Sequence, residues 1–174
     1  LPVVLFPGNT AQFTPEADAL LFLSVLSSRD ADLLVGNQIA VAREVKSSGI
    51  ETIPMGYILV DGGCPTSVAE ATHSRPIPQT DIDSVVRTAV AAELLGKQLV
   101  YLEAGSGARI PVREELIAAV RRELTIPLIV GGGIRSTEAM RTTFLAGADL
   151  VVIGNHFEQC PDQIIDFCHA RYTY

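Results

Sequence analysis

Two glycine-bearing turns in the last third of the chain are the residues best suited to bind a ligand. In the first, an apolar run leads into Gly132 and Gly133, and in the second a similar run leads into Gly154 and Asn155. Neither turn continues into the Gly-Lys-Ser/Thr of a nucleotide P-loop. Glycine lets the main chain approach a ligand closely, so bare N–H groups and a helix N-terminus can face an anion. Two such turns in succession predict a site for a small phosphorylated molecule.

A tyrosine and a glutamate upstream of these turns are candidates for acid–base chemistry. Tyr101 and Glu103 stand two residues apart in an apolar strand-like run, so both side chains project from the same face. Burial near the end of such a strand would raise the pKa of Glu103 and suit it to proton transfer. A structural ion pair of Glu103 with Arg109 or Arg135 is the alternative. The Gly-Ser-Gly turn at residues 105–107 offers further N–H donors and a hydroxyl.

Strand-like and helix-like segments alternate along the chain and must position these groups. The strand-like runs are apolar nearly throughout, as in parallel strands that are covered on both faces. Asp81 and Thr137 stand where helix N-caps are expected. Gly49, Gly96 and Gly147 stand where helices are expected to end. The sequence predicts strands at residues 3–6, 19–24, 52–60, 98–103, 128–130 and 150–153, and helices at residues 32–46, 81–95, 112–123, 137–145 and 161–170.

This alternation predicts an α/β fold of the (β/α)₈ TIM-barrel type. Six βα units are visible where a closed barrel has eight, and the chain opens at Leu1 in a strand-like run without an initiating Met. We therefore expect the first two βα units to be absent and residues 1–174 to form one N-terminally incomplete domain. An open doubly wound sheet of six strands is the alternative. It is disfavoured because a dinucleotide-binding sheet carries its glycine motif after the first strand, not after the last two.

Composition limits the kinds of partner and location. The 174 residues suffice for one domain with a core. A net charge of −7, without clustered Lys and Arg, argues against nucleic acid as a partner. Three cysteines without zinc or redox spacing predict reduced thiols in a cytoplasmic protein. The sequence has no signal-peptide pattern and no apolar run near 18 residues, so it predicts no transmembrane segment.

Five segments together resemble the geranylgeranylglyceryl phosphate synthase family. They are Phe6-Pro7-Gly8-Asn9, Pro54-Met55-Gly56-Tyr57, YLEAGSGA at 101–108, GGGIRS at 131–136, and residues 147–155. The last three are specific in this order and spacing, whereas GGGI alone would be weak. The resemblance covers essentially the whole chain from the family's third strand onward. It implies a TIM-barrel prenyltransferase that uses Mg²⁺ to join a prenyl diphosphate, with geranylgeranyl expected, to the C3 hydroxyl of sn-glycerol 1-phosphate and releases diphosphate.

The resemblance also implies roles for individual residues. Glu103 would orient or deprotonate the attacking hydroxyl, with Tyr101 beside it as a second catalytic candidate. The residues implied to contact glycerol phosphate are Tyr101, Leu102, Glu103, Ala104, Gly105, Ser106 and Gly107. Those implied to hold its phosphate through backbone donors are Gly132, Gly133, Gly154 and Asn155. Candidates for lining an apolar trough for the prenyl chain are Phe6, Phe22 and Tyr57, of which Tyr57 is also a substrate-binding candidate.

The metal ligands are left unassigned by this resemblance. The family's Mg²⁺-binding Asp and a nearby Ser or Thr lie on the first two strands, which this sequence lacks. Asp18, Asp61 and Asp149 do not match that motif, and Asp149 is expected to serve a turn or a strand start. A homo-oligomer and peripheral contact with a membrane are further expectations.

Three alternatives share the two glycine turns. One is a relative with another prenyl donor or phosphorylated acceptor, such as heptaprenyl diphosphate or phosphoglycerate. Another is a phosphosugar isomerase or an aldolase, which would need a second acid–base group or a Schiff-base lysine at a strand end. The only lysines, Lys46 and Lys97, are not at the C-terminal end of a predicted strand. The third is a non-catalytic phosphate- or FMN-binding barrel, which a bound yellow cofactor would reveal.

Overall fold

Six parallel strands form the sheet that positions the site. The computed structural model describes residues 1–64 and 75–171. The strands are β1 (Val4–Leu5), β2 (Ala19–Val25), β3 (Glu51–Leu59), β4 (Leu99–Glu103), β5 (Leu128–Gly131) and β6 (Leu150–Val152). Each pairs with the next in chain order. All six predicted strands are confirmed to within one residue at either end. Because a doubly wound sheet reverses its strand order, this sequential order excludes that alternative and is the order of a barrel wall.

Helices follow the strands along the chain, and two of them pack against one face of the sheet. They are α1 (Asn37–Ser48), α2 (Ile82–Leu94), α3 (Glu114–Glu123), α4 (Thr137–Leu145), α5 (Asn155–Gln159) and α6 (Ile164–Arg171). A π-helical turn, Asp32–Gly36, leads into α1, and 3₁₀ turns occupy Thr10–Gln12 and Pro161–Gln163. The sequence does not predict α5, whose five residues are too few to show a helical period. None of the helices within the described ranges has the length and apolar character needed to cross a membrane.

The helix ends follow the capping chemistry of the sequence with one correction. The Asp81 carboxylate accepts a hydrogen bond from the Ser84 N–H at 3.2 Å, which confirms it as the cap of α2. The predicted cap Thr137 is wrong. Ser136 holds the extended backbone of an N-cap, and its hydroxyl accepts from the Ala139 N–H at 3.1 Å. Glycines with positive φ follow α1, α2 and α4 as predicted: Gly49, Gly96 and Gly147.

Alternate residues of β3, β4 and β5 belong to two separate hydrophobic clusters. The outer cluster joins the sheet to α2 and α3, and it includes Ile58, Val85, Val100, Leu102, Leu116, Val120, Leu128 and Val130. The inner cluster faces the barrel interior, and it includes Val25, Met55, Tyr57, Leu59, Leu99, Tyr101 and Ile129. Because strand side chains alternate with a period of two, Tyr101 and Glu103 share the inner face as predicted.

Candidate functional site

A cavity of about 190 Å³ lies at the carboxyl ends of β4, β5 and β6. Both glycine turns line it, so the two turns that the sequence singles out meet at one site. The lining residues are Phe6, Tyr57, Tyr101, Glu103, Ser106, Gly107, Gly132, Gly133, Ile134, Arg135, Val152, Ile153, Gly154, Asn155 and His156. The predicted catalytic and glycerol phosphate-binding residues and Tyr57 are all among them, except Leu102, Ala104 and Gly105.

Those three residues lie immediately behind the cavity wall. The side chains of Leu102 and Ala104 are buried in the outer cluster, because alternate positions of β4 face the helices. The Gly105 N–H donates to Oε1 of Glu103 at 2.7 Å. The three residues therefore support the strand end and the glutamate.

Glu103 is buried at the end of β4, with 7% of its surface exposed. Its carboxylate is hydrogen bonded to the Tyr101 hydroxyl as well as to the Gly105 N–H. Burial raises the pKa of the Glu103 carboxyl, and the two hydrogen bonds oppose that rise. The expected direction of the shift is confirmed. A carboxylate with a raised pKa is a better proton acceptor near neutral pH.

The alternative of an ion pair between Glu103 and Arg109 or Arg135 is not formed. Among the residues that the structure describes, the ion pairs lie elsewhere. Arg135 instead donates to the carbonyl of Ala108 at 2.7 Å and makes a longer contact, 3.5 Å, with the carbonyl of Gly107. Its guanidinium therefore ties the loop after β4 to the turn after β5. The sequence pattern does not indicate Arg135 as a site residue, although it closely follows the first glycine turn.

Two glycines of the first turn are required by the atoms packed around them. A Cβ at Gly131 would lie 2.3 Å from the Tyr101 hydroxyl oxygen. At Gly132, whose φ is +87°, a Cβ would lie 2.6 Å from Oε1 of Glu103 and 2.8 Å from the nitrogen of Gly105. Any larger residue would displace the glutamate or the tyrosine, because real Cβ atoms do not approach so closely. The turn is thus fitted to the Tyr101–Glu103 pair.

The second turn is joined to the loop after β4 by a side-chain contact. The Ser106 hydroxyl donates to Oδ1 of Asn155 at 2.7 Å. His156 follows on α5, where its Nε2 lies 2.8 Å from Oε1 of Gln163. Its ring packs against Phe167, with 5.4 Å between centroids. These contacts fix the first residues of α5 relative to the cavity.

Three aromatic rings separate this cavity from a second, apolar one. Phe6, Tyr57 and Tyr101 are in mutual contact, with centroid separations of 5.4–6.0 Å. The second cavity, of about 310 Å³, shares Phe6 and Tyr57 with the first and continues over β2 and α1. Its other lining residues are Pro7, Gly8, Asn9, Thr10, Phe13, Leu20, Leu21, Phe22, Leu23, Val25, Leu33, Asn37, Gln38, Val41 and Val45. All three predicted trough residues, Phe6, Phe22 and Tyr57, therefore line it.

The Tyr57 hydroxyl is the unusual polar group at this junction. It is buried without a hydrogen-bond partner. Burial, and secondarily the nearby Glu103 carboxylate, raise the pKa of Tyr57 far above its ordinary value. Tyr57 therefore stays protonated, with a donor available to a bound molecule.

Asp149 and Lys97, which lie outside the smaller cavity, make structural contacts. Asp149 pairs with Arg121 at 2.9 Å and accepts from the Leu128 N–H at 2.7 Å, as expected for a residue at a strand start. Lys97 donates to Ser24 at 2.7 Å, and neither cavity is lined by a lysine. Schiff-base chemistry therefore has no amine at the site.

An Mg²⁺ ion would need several oxygen ligands grouped at one place. Within 1–64 and 75–171, no three His, Cys, Asp or Glu side chains are grouped so that they could hold an ion. The Glu103 carboxylate is already hydrogen bonded to Tyr101 and Gly105. The described residues therefore do not supply the oxygen-rich cluster that Mg²⁺ prefers.

The sequence profile of the PcrB family matches residues 1–171. The chain belongs to the PcrB family. A geranylgeranylglyceryl phosphate synthase from Zunongwangia profunda is 51% identical over 158 residues, which are 91% of this chain and 68% of that protein. One from Thermococcus gammatolerans is 45% identical over 159 residues, which are 91% of this chain and 62% of that protein. The resemblance read from the five sequence segments is confirmed.

A solved structure supports the same assignment. It is the crystal structure of (S)-3-O-geranylgeranylglyceryl phosphate synthase from Thermoplasma acidophilum in complex with sn-glycerol-1-phosphate. It superposes with a TM-score of 0.87 at 38% identity, over 98% of this chain and 66% of that one. The TIM-barrel type of fold is thereby confirmed. The PcrB-family chain described above spans about two thirds of the length of these relatives.

Proposed function

We propose that the protein is a prenyltransferase that joins a prenyl diphosphate to the C3 hydroxyl of sn-glycerol 1-phosphate. One observation carries this proposal: an apolar cavity of about 310 Å³ and a smaller cavity bearing the glycine turns and Glu103 share the walls formed by Phe6 and Tyr57. A long apolar donor and a small phosphorylated acceptor would then meet at the shared wall. Family membership supports the same reaction, since relatives carry the name of that synthase.

The acceptor is assigned to the smaller cavity. Backbone N–H groups of Gly132 and Gly133 on one side, and of Gly154 and Asn155 on the other, would hold its phosphate. Main-chain donors carry no net charge, which explains how an acidic protein can bind an anion. Because the phosphate does not react, this grip would serve to orient the glyceryl hydroxyl.

Glu103 is proposed to accept the proton of the attacking hydroxyl. The hydroxyl oxygen of the acceptor forms a bond to C1 of the prenyl group as the bond from C1 to the diphosphate oxygen breaks. The hydroxyl proton passes to the Glu103 carboxylate, and diphosphate leaves with the bonding electrons. The Tyr101 hydroxyl and the Gly105 N–H hold the carboxylate in place for that transfer.

The prenyl chain is assigned to the apolar cavity. Its walls are mainly Leu, Val and Phe side chains from β2 and α1, which suit a hydrocarbon. We propose geranylgeranyl diphosphate as the donor, following the name of the relatives. We also propose a requirement for Mg²⁺ and a homo-oligomeric state, both supported by the family resemblance, and a cytoplasmic location, which is supported by three cysteines without zinc or redox spacing. The proposed bond formation and proton transfer do not involve the metal, because the described residues offer it no donor cluster.

Mass spectrometry of the product tests the proposal. The full-length protein is incubated with Mg²⁺, sn-glycerol 1-phosphate and a ladder of prenyl diphosphates. We expect a prenylglyceryl phosphate and diphosphate, with the C20 donor used most efficiently. The enantiomer sn-glycerol 3-phosphate is the control for acceptor recognition. Absence of any prenylated acceptor with every donor would contradict the proposed reaction.

A further inference from the structure

Gln79 is a buried glutamine, outside both cavities, that connects the loops around the candidate site. It is 6% exposed, and both ends of its amide are bonded to main-chain atoms. Its Nε2 donates to the carbonyls of Asp61 at 2.7 Å and Pro111 at 3.1 Å. Its Oε1 accepts from the Arg113 N–H at 2.8 Å. One side chain thus joins the loop after β3 to both ends of a short segment before α3.

The position of Gln79 is fixed by a short continuation of the sheet. The Ile77 N–H donates to the Leu59 carbonyl at 3.0 Å, and the Asp61 N–H donates to the Ile77 carbonyl at 2.9 Å. Val60 and Ile77 form an isolated parallel bridge. Gln79 follows Ile77 by two residues, so these main-chain hydrogen bonds fix the place from which its amide reaches the loops.

The loop after β4 is held from both sides. On one side, the N–H groups of Arg109 and Ile110 donate to the Gly62 carbonyl at 2.9 and 3.0 Å. The main chain at Gly62 packs closely against that at Ala104, since a Cβ at Gly62 would lie 2.2 Å from the Ala104 carbonyl oxygen. On the other side, a Cβ at Gly133 would lie 3.1 Å from the nitrogen of Pro111. The loop is therefore wedged between the segment after β3 and the first glycine turn.

This loop also carries residues that face the smaller cavity. Ser106 and Gly107 line it, and Ser106 is bonded to Asn155 of the second turn. A shift of the loop would therefore move Ser106 relative to Gly132 and Gly133. Gln79 holds the end of the loop by two hydrogen bonds, to Pro111 and Arg113, and its third bond, to Asp61, ties that end to the loop after β3.

We propose that Gln79 is a positioning residue for the phosphorylated acceptor. It sets the position of the loop after β4 against the first glycine turn, and through that loop the geometry of the acceptor cavity. This inference rests on the proposed function for the identity of the acceptor. The apolar cavity proposed for the donor is lined by none of the residues to which Gln79 is bonded, so donor binding should not depend on it.

Steady-state kinetics and calorimetry on two variants test the proposal. Gln79→Leu removes all three hydrogen bonds, and Gln79→Glu keeps the acceptor for Arg113 but sets a carboxylate against two carbonyls. We expect the KM and Kd for sn-glycerol 1-phosphate to rise about tenfold or more in both, since misplacement near 1 Å can cost a hundredfold. The KM for the prenyl diphosphate should stay within about twofold. Gln98→Leu, at an exposed glutamine before β4, is the matched control and should behave as wild type.

The outcomes separate this inference from the proposed function. A wild-type protein that neither binds nor prenylates sn-glycerol 1-phosphate refutes the function. An active wild type, with acceptor KM unchanged in both variants or with both KM values raised equally, overturns the role of Gln79. If Gln79→Leu does not fold, Gln79→Asn provides the test, because it keeps the amide on a stem one methylene shorter. Failure of every Gln79 variant to fold also overturns the role, because the residue would then serve the whole fold.

Discussion

Replacing Glu103 by glutamine separates the proton-accepting role of this side chain from its packing. Glutamine has nearly the same shape, and its carbonyl can accept from the Gly105 N–H, as Oε1 of Glu103 does at 2.7 Å. Its amide N–H can donate to the oxygen of the Tyr101 hydroxyl. The acceptor cavity should therefore keep its form while it loses the proton acceptor.

The expected loss of turnover follows from the size of general-base effects. Proton transfer by a positioned side chain contributes about 10²–10⁴-fold to a rate. At about 1.4 kcal/mol for each factor of ten, this is about 3–5 kcal/mol of activation free energy. We expect kcat of Glu103→Gln to fall by such a factor, with the Kd for sn-glycerol 1-phosphate within about threefold of wild type.

The same substitution should change the pH dependence of stability. Because burial raises the pKa of Glu103 in the folded protein, its ionised form opposes folding. This loss of unfolding free energy is absent at pH values below the pKa of glutamate in the unfolded chain, near 4.3. It grows as the pH rises toward the pKa in the folded protein, and reaches about 1.4 kcal/mol for each unit by which folding raises the pKa. Glu103→Gln should therefore match wild type near pH 4 and exceed it at pH 7, by about 2–4 °C in Tm for each 1 kcal/mol.

Rapid-quench turnover, calorimetry and thermal unfolding across pH test these expectations. Glu44→Gln, an exposed glutamate on α1, is the matched control and should change none of the three. A Glu103→Gln protein that keeps more than a tenth of wild-type turnover would refute the base assignment. So would a variant whose Kd for the acceptor rises well beyond threefold while its turnover at saturating acceptor stays normal. Lower stability of the variant at pH 7 would refute the argument from burial.

Further substitutions test other contacts. Gly132→Val should raise the acceptor KM at least tenfold, because its Cβ would lie 2.6 Å from Oε1 of Glu103; unchanged kinetics would show that the turn does not need glycine. Tyr57→Phe removes a buried hydroxyl without a partner, so urea denaturation should show a gain of about 1 kcal/mol, and a loss would indicate an undetected partner. Asp149→Ala should cost about 1–2 kcal/mol in the same assay, since it breaks bonds to an arginine and a strand amide. Asp83→Ala, which removes one partner of the exposed ion pair with Arg87, should lower the unfolding free energy by less than about 0.5 kcal/mol. Equal losses for Asp83→Ala and Asp149→Ala would contradict this expected difference.

Much of the fold could be predicted because its signals are local. Buried parallel strands appear as unbroken apolar runs, and all six were placed within one residue. The period of two within β4 predicts that Tyr101 and Glu103 lie on one face. Glycine after a strand marked the turns. Each of these inferences needs only neighbours along the chain.

The features that escaped prediction depend on distant or ambiguous partners. Gln79 acts through main-chain atoms 18 to 34 residues away, and no sequence pattern encodes such contacts. Ser136 and Thr137 are adjacent hydroxyl residues with equal capping chemistry, and only the backbone angles distinguish them. Arg135 followed a recognised motif, but its hydrogen bonds to the loop after β4 appear only when the two turns are brought together.

The common wall between the two cavities has a consequence for how such enzymes diversify. In the proposed assignment, donor recognition would draw on β2 and α1, whereas acceptor recognition would draw on the units from β4 onward, with Phe6 and Tyr57 as the boundary. Mutations that change the accepted prenyl chain length could therefore accumulate in the segment from β2 through α1 without altering recognition of the phosphorylated acceptor. Chimeras that exchange the segment from β2 through α1 between relatives should inherit the chain-length preference of its parent.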